Sequence, residues 1–339
     1  MRRFGGIYDE IFTVDRLYQG YLDARKTKRS RRGCFEFERH LGANLHRLHD
    51  ELMAADYHPQ PYYRFVIYEP KKRTIYAPAF RDCVVQHAIY RRVYPLFDAT
   101  FIDTSFACRI GKGTHACADY VQAAMRRHDG DDYTLHLDVR KFFYSIDRAV
   151  LRALVAQKIK DKRLVDCMMM FAEYDDPVGV PIGNLLSQLY ALIYLNPVDQ
   201  FIKRDLKIRH YARYVDDMLL IGLTRAECDA ARERITEFLS NRLHLSLSWT
   251  RTQKIKRGVN FVGYRTWRSK RFIRKHSLYK FRRAVGKSSL EGVVSALGHA
   301  ARTQSLNHMV RYIQEKNHAL YRQIPKSCRR RHHLSARRA

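Results

Sequence analysis

The stretch Tyr211-Ala-Arg-Tyr-Val-Asp-Asp-Met-Leu-Leu-Ile221 sets two adjacent carboxylates, Asp216 and Asp217, inside a short apolar strand pattern. An ionised carboxylate in such surroundings must be paired or must bind a metal, because an unmatched buried charge is expensive. A second run, Tyr133-Thr-Leu-His-Leu-Asp-Val139, alternates like a strand and carries a further acid, Asp138, near its end. Strand geometry puts Leu135 and Leu137 on one face and His136 and Asp138 on the other. A strand–turn–strand arrangement around Asp216 could bring it opposite Asp138. Acids grouped in that way suit a two-metal phosphoryl-transfer site, which needs oxygen ligands for two Mg²⁺ ions. An Asp-Asp pair alone reads equally well as an acidic β-turn, so the rest of the chain has to decide.

Composition points to a polyanionic partner. The 339 residues hold 63 Lys and Arg against 34 Asp and Glu, a formal net charge of +29. A charge of that size repels itself unless something negative offsets it. Basic runs recur at Arg25–Arg32, Lys71–Arg73, Arg251–Arg257, Arg265–Lys275, Lys280–Arg283 and Cys328–Arg338. Several are interleaved with aromatics, among them Phe261, Tyr264, Trp267, Phe272, Tyr279 and Phe281. Cations for phosphates and flat rings for bases suit a nucleic-acid channel. No apolar run is long enough to span a bilayer and no lipid-anchor motif is visible, so no membrane is expected. The seven cysteines are scattered without a Cys-x-x-Cys pair and no secretory signal opens the sequence, which leads us to expect reduced thiols and a cytoplasmic setting. Cys108, His115 and Cys117 are too irregularly spaced for a zinc site and lack an evident fourth ligand.

The periodicities predict an α+β protein. Amphipathic helices reach to about residue 57, interrupted by a basic loop at Arg25–Gly33. Strands at 63–68 and 74–77 flank a cationic hairpin tip, Glu69-Pro-Lys-Lys-Arg73. A helix follows over 80–94, with Val84, Val85, Ala88, Ile89 and Val93 on one stripe. Gly111-Lys-Gly-Thr114 is a loop before the next helix and lacks the spacing of a phosphate-binding loop. From residue 133 the order is strand, helix (146–159), a second helix carrying Met168–Met170 as core, and a long helix (184–206) kinked at Pro197. Strands at 209–214 and 218–222 then flank the Asp pair, before a helix at 225–243 and a strand at 245–249. This order suits a sheet covered by helices on one face and open on the other. A hairpin and a basic helical region, 277–322, complete the pattern.

In this order and with these gaps, the blocks resemble a reverse transcriptase. Leu137-Asp138-Val-Arg-Lys-Phe-Phe143 is similar to the first palm motif, and Tyr214-Val-Asp-Asp217 to the catalytic hairpin. Gly179-Val-Pro-Ile-Gly-Asn-Leu-Leu-Ser-Gln188 is similar to the nucleotide-pocket motif, and Asn260-Phe-Val-Gly-Tyr264 to the primer-grip hairpin. The resemblance covers roughly residues 68 to 264. Where most relatives from group II introns and retroviruses carry Gln-Gly and commonly Ser-Pro, this chain has Ile182-Gly183 and Ser187-Gln188. That form resembles the reverse transcriptases of diversity-generating retroelements, as do Tyr68-Glu-Pro-Lys-Lys-Arg73, Val85-Gln-His-Ala88, Phe106-Ala-Cys-Arg109, Lys112-Gly-Thr-His115 and Gly298-His299.

The resemblance implies a right-hand polymerase with fingers, an antiparallel palm sheet backed by helices, and a helical thumb. It divides the chain into an N-terminal helical basic extension (1–60), fingers (61–132), palm (133–259, with finger elements around 160–182), primer grip and thumb (260–328), and a basic tail (329–339). It implies Asp138, Asp216 and Asp217 as catalytic acids holding two Mg²⁺, with the Val139 carbonyl as a further ligand and Asp217 as the weaker one. Nucleotide contacts fall on Lys71, Arg73, Phe143, Ile182, Gly183, Gln188 and Arg251, and the primer grip on Phe261, Gly263 and Tyr264. Phe143 stands where the family places a ring that excludes a ribose 2′-hydroxyl, with Phe142 its core-packing neighbour. Arg251 replaces a lysine that relatives use as a candidate proton donor; a guanidinium barely deprotonates, so it would stabilise charge, and Lys254 is the alternative donor. Implied partners are a template RNA, the RNA/cDNA duplex, dNTPs and a small basic oligomeric accessory variability protein. The implied activity is RNA-directed DNA synthesis that miscopies template adenines, the product then overwriting a variable repeat. The competing readings are another bacterial reverse transcriptase, of phage-defence or retron type, and a non-catalytic RNA-binding scaffold.

Overall fold

The computed structural model describes residues 3–68 and 71–330. Glu69 and Pro70 of the hairpin tip, and all of the expected basic tail past Arg330, lie outside the described residues. The chain forms two compact units. The first comprises 1–103, 138–207 and 233–249, and the second 104–137, 208–232 and 250–339. The span expected as palm, 133–259, contributes to both.

The first unit is mostly helical. Its N-terminal part is the expected helical region, with helices Tyr8–Ile11, Val14–Ala24, Arg32–Arg39 and Leu41–Met53. Thr13 caps the second of these by accepting from the Arg16 amide. That helix lies so close on helix Phe80–Asp98 that a side chain at Gly20 would come within 2.6 Å of the Val84 carbonyl oxygen. Helix Phe80–Asp98 buries the expected stripe and runs on past residue 94, because Phe97 extends the apolar face. The predicted hairpin is β1 (Tyr63–Ile67) and β2 (Arg73–Ala77), paired antiparallel. Helices Arg148–Ala156 and Lys162–Met170 follow; the first is shorter than expected because the Asp147 side chain caps its start. The long helix, expected as one element to residue 206, is α-helical over Leu185–Gln200 and continues as a π-turn at Phe201–Asp205. Pro197 removes a backbone donor there, and the ladder widens just beyond it.

Most of the four-stranded sheet belongs to the second unit. Strands β3 (Tyr133–Val139), β4 (His210–Tyr214), β5 (Asp217–Leu223) and β6 (Leu247–Lys254) stand in the order β4-β5-β3-β6. Residues 138–139 of β3 and 247–249 of β6 are counted with the first unit. Strand β6 starts later than residue 245, since the Leu245 amide is tied back to the Leu239 carbonyl at the end of helix Arg225–Leu243. One face was expected to be open, yet Thr134 through Leu137 and Met218 through Ile221 are all buried. Phe261 explains part of this: its ring packs edge-on against His136, 5.3 Å between centroids. A second small sheet joins β7 (Val259–Phe261), β8 (Tyr264–Thr266) and β9 (Arg271–Ile273). The β7–β8 turn takes positive φ at Val262 and Gly263, the geometry that suits a two-residue hairpin. Helices Lys275–Gly286, Leu290–Ala300, Ser305–Lys316 and His318–Gln323 close around Phe281, Val285, Val293, Leu297, Met309 and Ile313.

Candidate active site

The acid pair sits at a strained turn. Strands β4 and β5 pair in register with Tyr214 opposite Asp217, which leaves Val215 and Asp216 as the connecting residues. Val215 adopts φ of 58°, a left-handed conformation that a β-branched side chain rarely accepts. Arg213, fully buried, donates from Nη1 to the Val215 carbonyl at 2.9 Å and so pins the turn. The strands are buried up to this point, and burial relaxes over Tyr214–Asp217. Asp217 Oδ1 lies 3.2 Å from His136 Nε2. An ionised carboxylate only accepts, so that nitrogen carries the proton. The sequence placed His136 on the face it shares with Asp138 but assigned it no role.

In the first unit, Asp138 accepts a hydrogen bond on Oδ2 from the Ser248 hydroxyl, which also lies 3.1 Å from the Asp138 carbonyl oxygen. Ser248 is a second residue that sequence reasoning missed. Val139 is buried, and Asp138 is half-buried. Among the described residues no group of three or more His, Cys, Asp or Glu is gathered for a metal, Cys108, His115 and Cys117 included. The carboxylates nonetheless fit Mg²⁺, a hard ion that keeps several waters and takes one or two protein carboxylates together with substrate phosphates. Asp138, Asp216 and Asp217 are all partly exposed, which leaves room for those waters.

Several expected nucleotide-binding residues meet within the first unit. The corner Ile182-Gly183-Asn184 is held by hydrogen bonds to several elements. The Ile182 carbonyl accepts from the Tyr76 amide at 2.7 Å, and Gln86 Oε1 accepts from the Leu185 amide. Asn184 caps the long helix and donates to the Tyr62 hydroxyl and the Phe171 carbonyl. Just upstream, the Val180 amide donates to the Phe143 carbonyl at 2.8 Å, so the motif is laced to the turn that bears the candidate gate. Phe142 is buried, as expected of the core member, whereas Phe143 is half-buried. Gly183, Leu185 and Gln188 line a cleft of about 1080 Å³ together with Tyr63, Phe65 and Lys28. Lys71 and Arg73 are exposed on the β1–β2 hairpin and do not line it.

Gly183 has a φ of 115°, and a side chain there would stand 2.8 Å from Ile75 Cγ2 and 3.0 Å from the Tyr76 carbonyl. Gly183→Ala is therefore expected to cost about 1–3 kcal/mol of unfolding free energy in a urea titration. An unchanged midpoint and slope would show that the corner does not enforce this conformation.

Arg251 is exposed on β6 in the second unit. Lys254 is bound elsewhere: its ammonium pairs with Asp131 at 2.8 Å, and this contact raises the lysine pKa, which weakens its case as a proton donor. The hairpin of Phe261, Gly263 and Tyr264 forms as expected, but both aromatics are buried and so shape the hairpin without forming its surface. Tyr264 donates to the His299 carbonyl at 2.9 Å, stacks on the His299 ring at 4.5 Å, and lies 3.2 Å from His115 Nδ1. The sequence marks His115 and His299 as parts of motifs, without linking them; the structure joins them at one tyrosine. Desolvation lowers the pKa of His299.

Residues 69–266 match the family described as "Reverse transcriptase (RNA-dependent DNA polymerase)". The chain is 26% identical over 296 residues to Protein YkfC of Escherichia coli (strain K12), covering 72% of this chain and 75% of that protein. It is 27% identical over 163 residues to the group II intron-encoded protein LtrA of Lactococcus lactis subsp. cremoris, covering 44% of this chain and 27% of LtrA. Among solved structures, apo telomerase from Candida Tropicalis aligns with a TM-score of 0.51 at 12% identity, over 78% of this chain and 59% of that one. Telomerase from Candida albicans, in complex with a TWJ fragment of telomeric RNA, aligns with a TM-score of 0.50 at 13% identity, over 78% and 55%. The chain thus spans less than two thirds of LtrA and of either telomerase chain. At these identities the structural likeness is one of fold, the right-hand polymerase fold that the motifs lead one to expect.

Proposed function

Because this chain belongs to the reverse transcriptase family, with homology to group II intron-encoded proteins, we propose that it copies an RNA template into DNA by two-metal nucleotidyl transfer. The observation that carries this reading is the β4–β5 turn, which leaves Asp216 and Asp217 partly exposed at the end of otherwise buried strands. Asp138, Asp216 and Asp217, with the Val139 carbonyl, would hold two Mg²⁺, which when bound supply activation of the primer 3′-hydroxyl and charge neutralisation at the leaving pyrophosphate. Ser248 would steady Asp138 through its hydrogen bond to Oδ2. Phe143 sets the floor under the incoming sugar, and Arg73 and Lys71 meet the triphosphate from the hairpin, a guanidinium being able to grip phosphate oxygens bidentately. Gly183 admits close backbone approach, Gln188 reads the nascent pair, and Arg251 offsets charge without giving up a proton. Tyr63 and Phe65, exposed and 5.9 Å apart, and Lys28 offer stacking faces and charge along the cleft to unpaired template.

The finer reading is that of a diversity-generating retroelement: the template is a repeat RNA, adenines are miscopied, and a small basic accessory protein assists. Ile182 supports it, for a branched apolar side chain stands where a polar amide would contribute hydrogen bonds near the base pair. Replacing it tests this directly. Ile182→Gln is expected to lower errors opposite adenine by about tenfold, the worth of one or two hydrogen bonds, as counted by sequencing cDNA made on a defined RNA. An unchanged adenine error rate would remove Ile182 from the explanation. The likeness to LtrA favours a second reading, a reverse transcriptase of group II intron kind without adenine bias. Errors spread evenly over the four template bases in the parent protein would select it.

A further inference from the structure

We propose that His136 is a positioning residue for the reaction: it fixes the Asp217 carboxylate and ties it to the β7–β8 hairpin. This rests on the polymerase reading above. Three contacts within the second unit carry it. His136 Nε2 reaches Asp217 Oδ1 at 3.2 Å. The imidazole ring also packs edge-on against Phe261, with centroids 5.3 Å apart and planes at 76°. Phe261 is 1% exposed and stands in β7, paired across the turn with Tyr264, whose hydroxyl is locked to His299.

The choice of residue at this position is informative. The side chain is 9% exposed, on a strand whose neighbours Leu135 and Leu137 are wholly buried. An apolar residue would fill such a site without desolvating a polar ring, so the imidazole costs stability unless its N–H finds a partner. One partner it finds is an acid of the hairpin that the resemblance makes catalytic. With Oδ1 held by an N–H, the plane of the Asp217 carboxylate is set, and its remaining lone pairs would be presented to a bound ion in a fixed orientation. Residues that orient a ligand in this way are worth 10–100-fold in metal affinity or activity in other metal sites. Phe261 supplies the second constraint, since it stops the ring from turning away. The hairpin that the resemblance assigns to the primer and the acid that it assigns to the metal would then share one side chain.

His136→Phe keeps a ring against Phe261 and removes the donor, whereas His136→Gln keeps a donor. On the full chain bound to an RNA template and a dideoxy-terminated primer, Mn²⁺ titration by electron paramagnetic resonance is expected to show weakening of about tenfold for His136→Phe and recovery for His136→Gln. In primer extension, kcat should fall by a similar factor while the dNTP KM stays put. In an Asp217→Asn background, His136→Phe should add nothing further. Parental Mn²⁺ affinity and kcat in a folded His136→Phe variant, or losses that multiply in the double variant, would overturn the proposal. So would failure of both His136→Phe and His136→Leu to fold, which would assign the residue to packing. A parent protein that extends no primer at all would instead sink the polymerase reading, and the metal titration would still report on His136.

Discussion

Asp216→Asn is expected to reduce primer extension by about a thousandfold or more, since a lost metal ligand removes several kcal/mol of transition-state stabilisation. The resemblance ranks this acid above its neighbour, and the turn that carries it is rigid. Asp216 occupies the turn itself, next to Val215 in its left-handed conformation, and the buried Arg213 holds that turn by the Val215 carbonyl. Asp217→Asn should lose less, as its weaker place in the resemblance implies, and Asp138→Asn should match Asp216→Asn. Removing one negative charge from a chain of net +29 does not weaken its attraction for phosphate, so RNA binding at fixed salt should stay within about twofold. Gel shifts beside single-turnover extension separate the two effects. Near-parental extension by Asp216→Asn would dismiss this residue as a ligand.

Phe143→Ala is expected to raise ribonucleotide incorporation relative to deoxyribonucleotide by about 10–200-fold, the range that a single steric contact in a pocket supplies. Phe143 suits that role because its backbone is fixed while its side chain is not fully enclosed. Its carbonyl accepts from the Val180 amide, and a side chain at Gly179 would strike the same carbonyl at 2.8 Å. The adjacent Phe142 is the ring committed to the core. Phe142→Ala should accordingly unfold the protein more readily, with the sugar preference of the surviving fraction unchanged. Competition between rUTP and dTTP on a poly(rA) template reads the ratio, and an unaltered ratio in Phe143→Ala would rule this ring out as the gate.

Much of this was legible in the sequence because the signals were local. The apolar run broken by Asp216 and Asp217 reads as a strand, a turn and a strand, and the helix expected at 225–243 forms with those bounds. The Ile182-Gly183-Asn184 corner reads as a helix start, since asparagine is a good cap. What escaped depends on partners remote in the chain. His136 could be put on a face, but its bond to Asp217 depends on which strand lies next to β3, and alternation does not give strand order. Ser248 lay inside the expected strand at 245–249, but its bond to Asp138 depends on β6 lying next to β3, which the sequence does not give. Lys254 looked available until Asp131 was found against it. Phe261 and Tyr264 looked like contact residues because aromatics beside cations suit nucleic acid; the fold instead uses them to seal the sheet and to anchor the hairpin on His299.

The most direct measurement is extension of a DNA primer on a defined RNA template by the full chain, with the four dNTPs and Mg²⁺. RNA-templated DNA synthesis predicts dNTP-dependent products running toward the template end, abolished by a chelator and absent with Asp216→Asn. A parent protein that binds the same RNA–primer duplex yet adds no nucleotide with either Mg²⁺ or Mn²⁺ would contradict it.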